Sequence, residues 1–152
     1  MAPPAHQLLE EIPQVTADGA TVRVIAGTYR QSQGDLMGAA STHAPIELYD
    51  VELQNGASLD IPLPNRFHAA IFVVEGKVAI GGNDLAEADL AVFHSAGDGV
   101  SVSAVSNARL LVLGGEPIDE PIASHGPFVM NSREELMQAI ADYQSGRMGH
   151  LS

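Results

Sequence analysis

Hydrophobic and polar residues alternate with a period of two along several short stretches in the middle of the chain. TVRVIAG (21–27) and IELYDVEL (46–53) are clear examples, and turn dipeptides such as Asn55-Gly56 and Glu75-Gly76 separate such stretches. Predicted strands lie within 21–27, 46–53, 57–63, 69–82, 90–94, 100–105 and 108–115. Many short alternating strands divided by turns predict an all-β fold, an antiparallel jelly roll or small barrel.

Different patterns flank this central zone on both sides. Residues 1–20 contain three prolines and an acidic pair, which predicts a linker-like arm. Residues 21–115 form the predicted barrel, and 31–43 lack a strand pattern and predict a mobile loop. Residues 116–152 predict an extended, proline-containing segment followed by a helix.

The predicted C-terminal helix has recognisable signals at both ends. Ser132 and Glu135 have the spacing of a capping box, and Gly146 lies where a helix-ending glycine is expected. The hydrophobic residues between them follow helical spacing: Leu136, Met137, Ile140 and Tyr143. The pattern predicts about 12 helical residues with one apolar stripe that packs against this barrel or a partner.

Composition narrows the classes of function. The 152 residues suit a single domain, and 45% of them are hydrophobic. With 7 Lys+Arg against 19 Asp+Glu, the net charge of -12 argues against binding to nucleic acid or to anionic membranes. The chain has no cysteine, no apolar run long enough to cross a membrane and no signal-peptide pattern. A cytoplasmic protein is expected.

Histidines are the first candidates for metal chemistry. The six are His6, His43, His68, His94, His125 and His150, and none lies within 24 residues of another, so they form no local ligand motif. His43, His68 and His94 lie on or beside predicted strands and could still meet in space. We favour ordinary surface or half-buried histidines, and a three-histidine metal site remains the alternative. No nucleophile-elbow or phosphate-loop motif is present.

The glycine spacing of the central zone resembles the first motif of the cupin family. Gly56 and Gly76 match the two glycines of that motif. The positions of the four cupin metal ligands then fall on Pro62, Pro64, Ala69 and, in the second motif, Val100. None of these side chains has a lone pair for a metal ion, so the resemblance implies a barrel interior without a metal.

A more specific resemblance begins at residue 115. Gly-Glu-Pro at 115–117, GPFVMN at 126–131 and DYQSGRMG at 142–149 are similar to the C-terminal signature of the pirin family. The first 15 residues resemble the segment that joins the two halves of a pirin. Pirins are bicupins with iron or another divalent metal in the N-terminal cupin. The resemblance therefore implies a degenerate C-terminal cupin with a C-terminal helix, without a cofactor of its own.

The resulting hypothesis is a non-catalytic, metal-free cupin that serves as a structural or interaction half. Its expected partner is a pirin-type N-terminal cupin or a second copy of itself, and dioxygenase activity is expected only with a metal-bearing cupin. One alternative is part of a metal-dependent quercetin dioxygenase. Another is a module that binds a small aromatic ligand, with a pocket formed by Tyr49, Phe67, Ile71, Phe72, Val73 and Phe93.

Overall fold

The computed structural model describes residues 9–94 and 97–149. The chain divides into two compact units, residues 1–117 and 118–152. After a 3-10 helix at Leu9–Glu11, the strands of the first unit are β1 (Gln14–Ala17), β2 (Ala20–Ala26), β3 (Thr28–Tyr29), β4 (Leu36–Met37), β5 (Ile46–Leu53), β6 (Ser58–Pro62), β7 (His68–Glu75), β8 (Val78–Ile80), β9 (Asn83–Leu85), β10 (Leu90–Phe93), β11 (Gly99–Ala104) and β12 (Ala108–Gly115). The second unit contains β13 (Ala123–His125), β14 (Phe128–Met130) and α1 (Arg133–Gln144).

Two large antiparallel sheets and the small pair β3-β4 form the first unit. One has six strands in the order β1-β2-β5-β12-β7-β10, and the other has four in the order β6-β11-β8-β9. A single hydrophobic core lies between them, with Val24, Tyr49, Ile71 and Leu110 fully enclosed. Burial of each of the three aliphatic side chains in this set stabilises the fold by roughly 1.5–3 kcal/mol. The predicted all-β jelly roll is confirmed.

The sheet begins earlier than the sequence pattern predicts. β1 lies inside the predicted arm and pairs antiparallel with β2 through a turn at Asp18-Gly19, where both residues have positive φ. Most of β1 is exposed because it is an edge strand, so it shows no clear hydrophobic alternation. The predicted loop at 31–43 likewise contains a short strand, β4, which pairs with β3.

The second unit contains a hairpin of β13 and β14 followed by α1. The capping box of Ser132 and Glu135 is present, and Gly146 follows the helix with a φ of 72°. The predicted apolar stripe is wrong in part, because Leu136 and Ala139 are buried whereas Met137 is exposed. Tyr143 is also exposed, with its ring edge against Phe128. Within the described ranges, no helix is long and apolar enough to span a bilayer.

We expect Ser132→Ala to destabilise α1 by about 1 kcal/mol, because the hydroxyl oxygen accepts the Glu135 N–H at 3.2 Å. Hydrogen exchange of the α1 amides should then accelerate about fivefold, since 1 kcal/mol corresponds to that factor at 25 °C. Ser124→Ala, on the exposed part of β13, is the control and should leave these rates unchanged. Equal exchange in both variants would show that the hydroxyl does not hold the helix start.

Candidate functional site

Three strands and one loop contain the four expected cupin ligand positions: Pro62 ends β6, Pro64 follows it, Ala69 is in β7 and Val100 is near the start of β11. Ala69 and Val100 are buried as predicted, but Pro62 and Pro64 are only half-buried. The inward positions belong to Ile61 and Leu63 instead, since Val100 pairs directly with Ile61 across the two strands. The interior placement of both prolines is therefore wrong by one residue. The four interior side chains at this place, Ile61, Leu63, Ala69 and Val100, are aliphatic and offer no metal ligand.

The three candidate histidines are not brought together as a triad. Ala69 faces the core, so its neighbour His68 faces outward, as strand geometry predicts. His94 directly follows β10, and its ring centroid lies 6.1 Å from that of His68. His43 is exposed in the segment before β5. In the part of the chain that the structure describes, no group of three or more histidine or acidic side chains could hold a metal ion. His6 and His150 lie outside the described residues.

The six residues predicted to line an aromatic-ligand pocket lie mostly in the packed core, and none of them lines either of the two clefts named below. Tyr49, Ile71, Val73 and Phe67 are packed in the core, and Phe93 is half-buried against it. Phe72 points to the opposite side of the sheet, because it alternates with Ile71 and Val73 along β7. Two clefts of about 460 and 420 Å³, beside Tyr29 and beside Leu136, are lined by other residues.

A buried acidic side chain that sequence reasoning missed lies near the start of β5. Glu47 Oε2 accepts the Thr28 N–H at 2.7 Å and lies 2.6 Å from the Tyr49 hydroxyl. Burial, together with the hydrogen bond and negative charge of Glu47, raises the pKa of Tyr49. A Cβ at Gly27 would overlap Glu47 Oε2, so glycine is required at that position. The cluster connects β3 to β5 through hydrogen bonds. The sequence contained one indication of it, because Glu47 lies on the same side of the alternating stretch IELYDVEL as the inward-facing Tyr49.

Tyr29 extends this cluster toward a cleft. Its ring meets that of Tyr49 edge-on, with centroids 5.4 Å apart. Burial raises the pKa of Tyr29, and the nearby charge of Asp60 raises it further. Both phenols therefore stay protonated at neutral pH and do not act as bases, and the Tyr49 hydroxyl donates to Glu47.

The outer faces of the two sheets differ sharply in polarity. On the four-stranded sheet, Ser58 and Ser103 hydrogen-bond at 3.0 Å, and Ser101 donates to Asp60. The six-stranded sheet instead presents hydrophobic side chains on β5, β12, β7 and β10. We call this set the apolar face, and it comprises Ile46, Leu48, Ala70, Phe72, Val74, Leu90, Val92, Leu111 and Leu113.

Strand register arranges the apolar face into two continuous rows. Leu113 pairs with Leu48 on one side and with Ala70 on the other, and Ala70 pairs with Val92. In the second row, Phe72 pairs with Leu111 on one side and with Leu90 on the other. Several members are well exposed: Val92 by 60%, Leu90 by 56% and Leu113 by 41%. A contiguous exposed hydrophobic surface of this kind is typical of an interaction site.

An ion-pair network borders the apolar face on the β2 side. Asp50 is only 5% exposed and accepts two hydrogen bonds from Arg109, at 3.0 and 2.8 Å. Arg23 contacts both Asp50 and Glu52, at 3.4 and 3.1 Å. The hydrogen bond and charge of Asp50 raise the pKa of Arg109. The network holds two cations and two anions in fixed positions beside the hydrophobic rows.

Comparison with known proteins identifies the family to which this chain belongs. Residues 48–149 match the family model of the pirin C-terminal cupin domain. The chain belongs to the pirin family. The resemblance deduced from the C-terminal signature is thereby confirmed.

Pirin relatives extend well beyond the matched region. The pirin chain is 41% identical over 150 residues to a pirin-like protein of Caulobacter vibrioides, covering 97% of this chain and 53% of that protein. It is 36% identical over 160 residues to human pirin, covering 98% and 52% of the two chains. The chain therefore spans about half the length of these curated relatives.

A solved structure supports the cupin fold directly. The crystal structure of quercetin 2,3-dioxygenase from Acinetobacter baumannii superimposes with a TM-score of 0.76 at 34% identity. The match covers 94% of the pirin chain and 49% of the dioxygenase. The predicted cupin jelly roll with a C-terminal helix is confirmed, and again one half of a longer protein is matched.

Proposed function

We propose that this pirin chain is a non-catalytic, metal-free cupin half that docks onto a pirin-type N-terminal cupin through its apolar face. The observation that carries the proposal is the contrast between the two outer sheet faces. The serine-rich face of the four-stranded sheet suits contact with water. The rows of leucine and valine on the six-stranded sheet suit contact with another protein.

The partner is inferred from what the relatives contain and this chain lacks. The chain corresponds to one half of pirins, and its resemblance to the C-terminal cupin implies that the remaining half is the metal-bearing one. The apolar face occupies the central and β10-side strands of the larger sheet. An N-terminal cupin covering these strands would remove the exposed hydrophobic side chains from water.

Lack of catalysis is inferred from the side chains inside the jelly roll. The interior side chains at and beside the expected cupin ligand positions are those of Ile61, Leu63, Ala69 and Val100, and none of them can bind a metal ion. The enclosed polar pair of Glu47 and Tyr49 is already hydrogen-bonded to the backbone of β3. Any dioxygenase activity of the kind named for the Acinetobacter baumannii protein would then reside in the docked assembly, with the metal supplied by the partner half.

The proposal is tested by placing a charge on each outer face in turn. We expect the chain to co-elute in a 1:1 complex when co-expressed with the N-terminal half of the Caulobacter vibrioides relative. Val92→Glu should weaken this complex at least 100-fold, because a carboxylate would be desolvated at the interface. Ser103→Glu, on the polar face, is the matched control and should leave it intact.

Three outcomes would contradict the proposal. Unchanged binding in Val92→Glu would show that the apolar face is not the docking surface, and equal loss in both variants would show that the effect is not specific to that face. A homodimer that Val92→Glu disrupts, with no binding to the N-terminal half, would assign the face to a second copy of this chain. Because residues 92 and 103 are both solvent-exposed, circular dichroism should confirm that both variants fold.

We also expect the chain, purified without metal-affinity chromatography and then dialysed, to hold well under one equivalent of iron, zinc, manganese, copper or nickel. An ion inside an aliphatic core would lose its hydration without gaining ligands. Adding a chelator should therefore leave the melting temperature unchanged. One equivalent that survives dialysis and is lost in His68→Ala or His94→Ala would instead support the metal-enzyme alternative.

A further inference from the structure

Two exposed histidines face each other at one end of the apolar face. The pairing of Phe93 with Ala69 places His94 opposite His68 on the neighbouring strand. Both side chains are exposed, and their rings lie 6.1 Å apart between centroids and nearly perpendicular, at 85°. The jelly roll thus holds two imidazoles side by side at its surface, 26 positions apart in the chain.

We propose that His68 and His94 form a surface site for a borderline divalent transition metal such as Ni²⁺, Cu²⁺ or Zn²⁺. Neutral imidazole carries a lone pair on one ring nitrogen and is a preferred ligand of these ions. Metal–nitrogen bonds are about 2.1 Å long, so small rotations about exposed side-chain torsions bring both rings onto one ion. The antiparallel strands hold the two ligands together before the metal arrives, which lowers the entropy cost of binding.

The site is separate from the cupin interior and differs from it in character. His68 faces outward while its neighbour Ala69 faces the core, so an ion bound here would remain in contact with solvent. Two protein ligands leave the other coordination positions to water, so the ion exchanges readily and is removed by dialysis. The net charge of -12 raises the local concentration of cations around the chain.

Calorimetric titration of the purified, metal-stripped chain with NiCl₂ at pH 7.5 tests the site. We expect one binding event, and at least tenfold weaker binding in both His68→Ala and His94→Ala. Copper should bind more tightly than nickel, following the general order of divalent metal affinities, and Mg²⁺ should not bind because it prefers oxygen ligands. Paramagnetic Ni²⁺ should broaden the NMR signals of β7 and β10 selectively.

His43→Ala and His125→Ala are the matched controls, since each removes an exposed histidine elsewhere in the described chain. Both should bind Ni²⁺ like the unmodified protein. Absence of nickel binding, unchanged binding in both paired variants, or loss in a control variant would overturn the site. These readouts require no partner, so failure here leaves the docking proposal standing, and failure of docking leaves this site standing.

Discussion

Asp50→Ala should lower the free energy of unfolding by about 3 kcal/mol, at the lower end of the range for removing one partner of a buried ion pair. The substitution leaves Arg23, which is largely buried, with Glu52 as its remaining partner, and Arg109 loses both of its hydrogen bonds. We expect a loss of stability below the upper end of that range because the Arg109 side chain is 47% exposed, so water can solvate its guanidinium group once Asp50 is removed. Urea unfolding monitored by circular dichroism measures the change.

A second aspartate in the same protein provides the comparison for this result. Asp84 pairs with Lys77 at 3.1 Å, but both side chains are about half exposed. Asp84→Ala should therefore cost well under 1 kcal/mol, since solvent screens such pairs. If the two variants lost equal stability, the burial of Asp50 between two arginines would not be the source of the effect.

Gly76→Ala should destabilise the jelly roll by about 3 kcal/mol and lower the melting temperature by roughly 10 °C. Gly76 has a φ of 82°, which disfavours any residue with a Cβ. An added Cβ would also overlap the carbonyl oxygen of Asn107, a backbone atom that cannot swing away. The turn glycine predicted from the sequence thus meets both conditions, a positive φ and a close approach.

Gly56→Ala separates these two contributions. Gly56 has nearly the same φ, 81°, but no atom lies within 4 Å of the position of an added Cβ. Gly56→Ala should therefore lower the free energy of unfolding only by the cost of holding a residue with a Cβ at positive φ, about 1–2 kcal/mol. A melting temperature for Gly76→Ala equal to that of Gly56→Ala would show that the backbone at Asn107, just before β12, shifts without strain.

Features set by neighbouring residues could be predicted from the sequence. The Ser132 cap, the Gly76 turn and the alternation of β2 depend on a few adjacent positions, and all are found in the structure. The family followed from a long, unusual C-terminal motif rather than from physical pattern. Together, these features were enough to predict the fold and the family.

Features set by pairing between distant strands could not be predicted in this way. The spacing of the cupin motif places Pro62 in the interior, whereas the alternation of β6 turns Ile61 inward, opposite Val100 of β11. The apolar face emerges only when Leu113, Ala70 and Val92, from three strands, are placed in one row. The pairing of His68 with His94 likewise required the alignment of β7 with β10.

The strand order of the larger sheet also determines when the protein can fold during its synthesis. β12 is the last strand of the jelly roll to be made, yet it lies between β5 and β7 at the centre of the sheet. Its Gly115 pairs with Ile46, so ribosomes must complete the strand and release it before the sheet can close. Folds dominated by such distant pairings reach the native state in about milliseconds to seconds. Until then, the nascent chain exposes its most hydrophobic segments to chaperones and to aggregation.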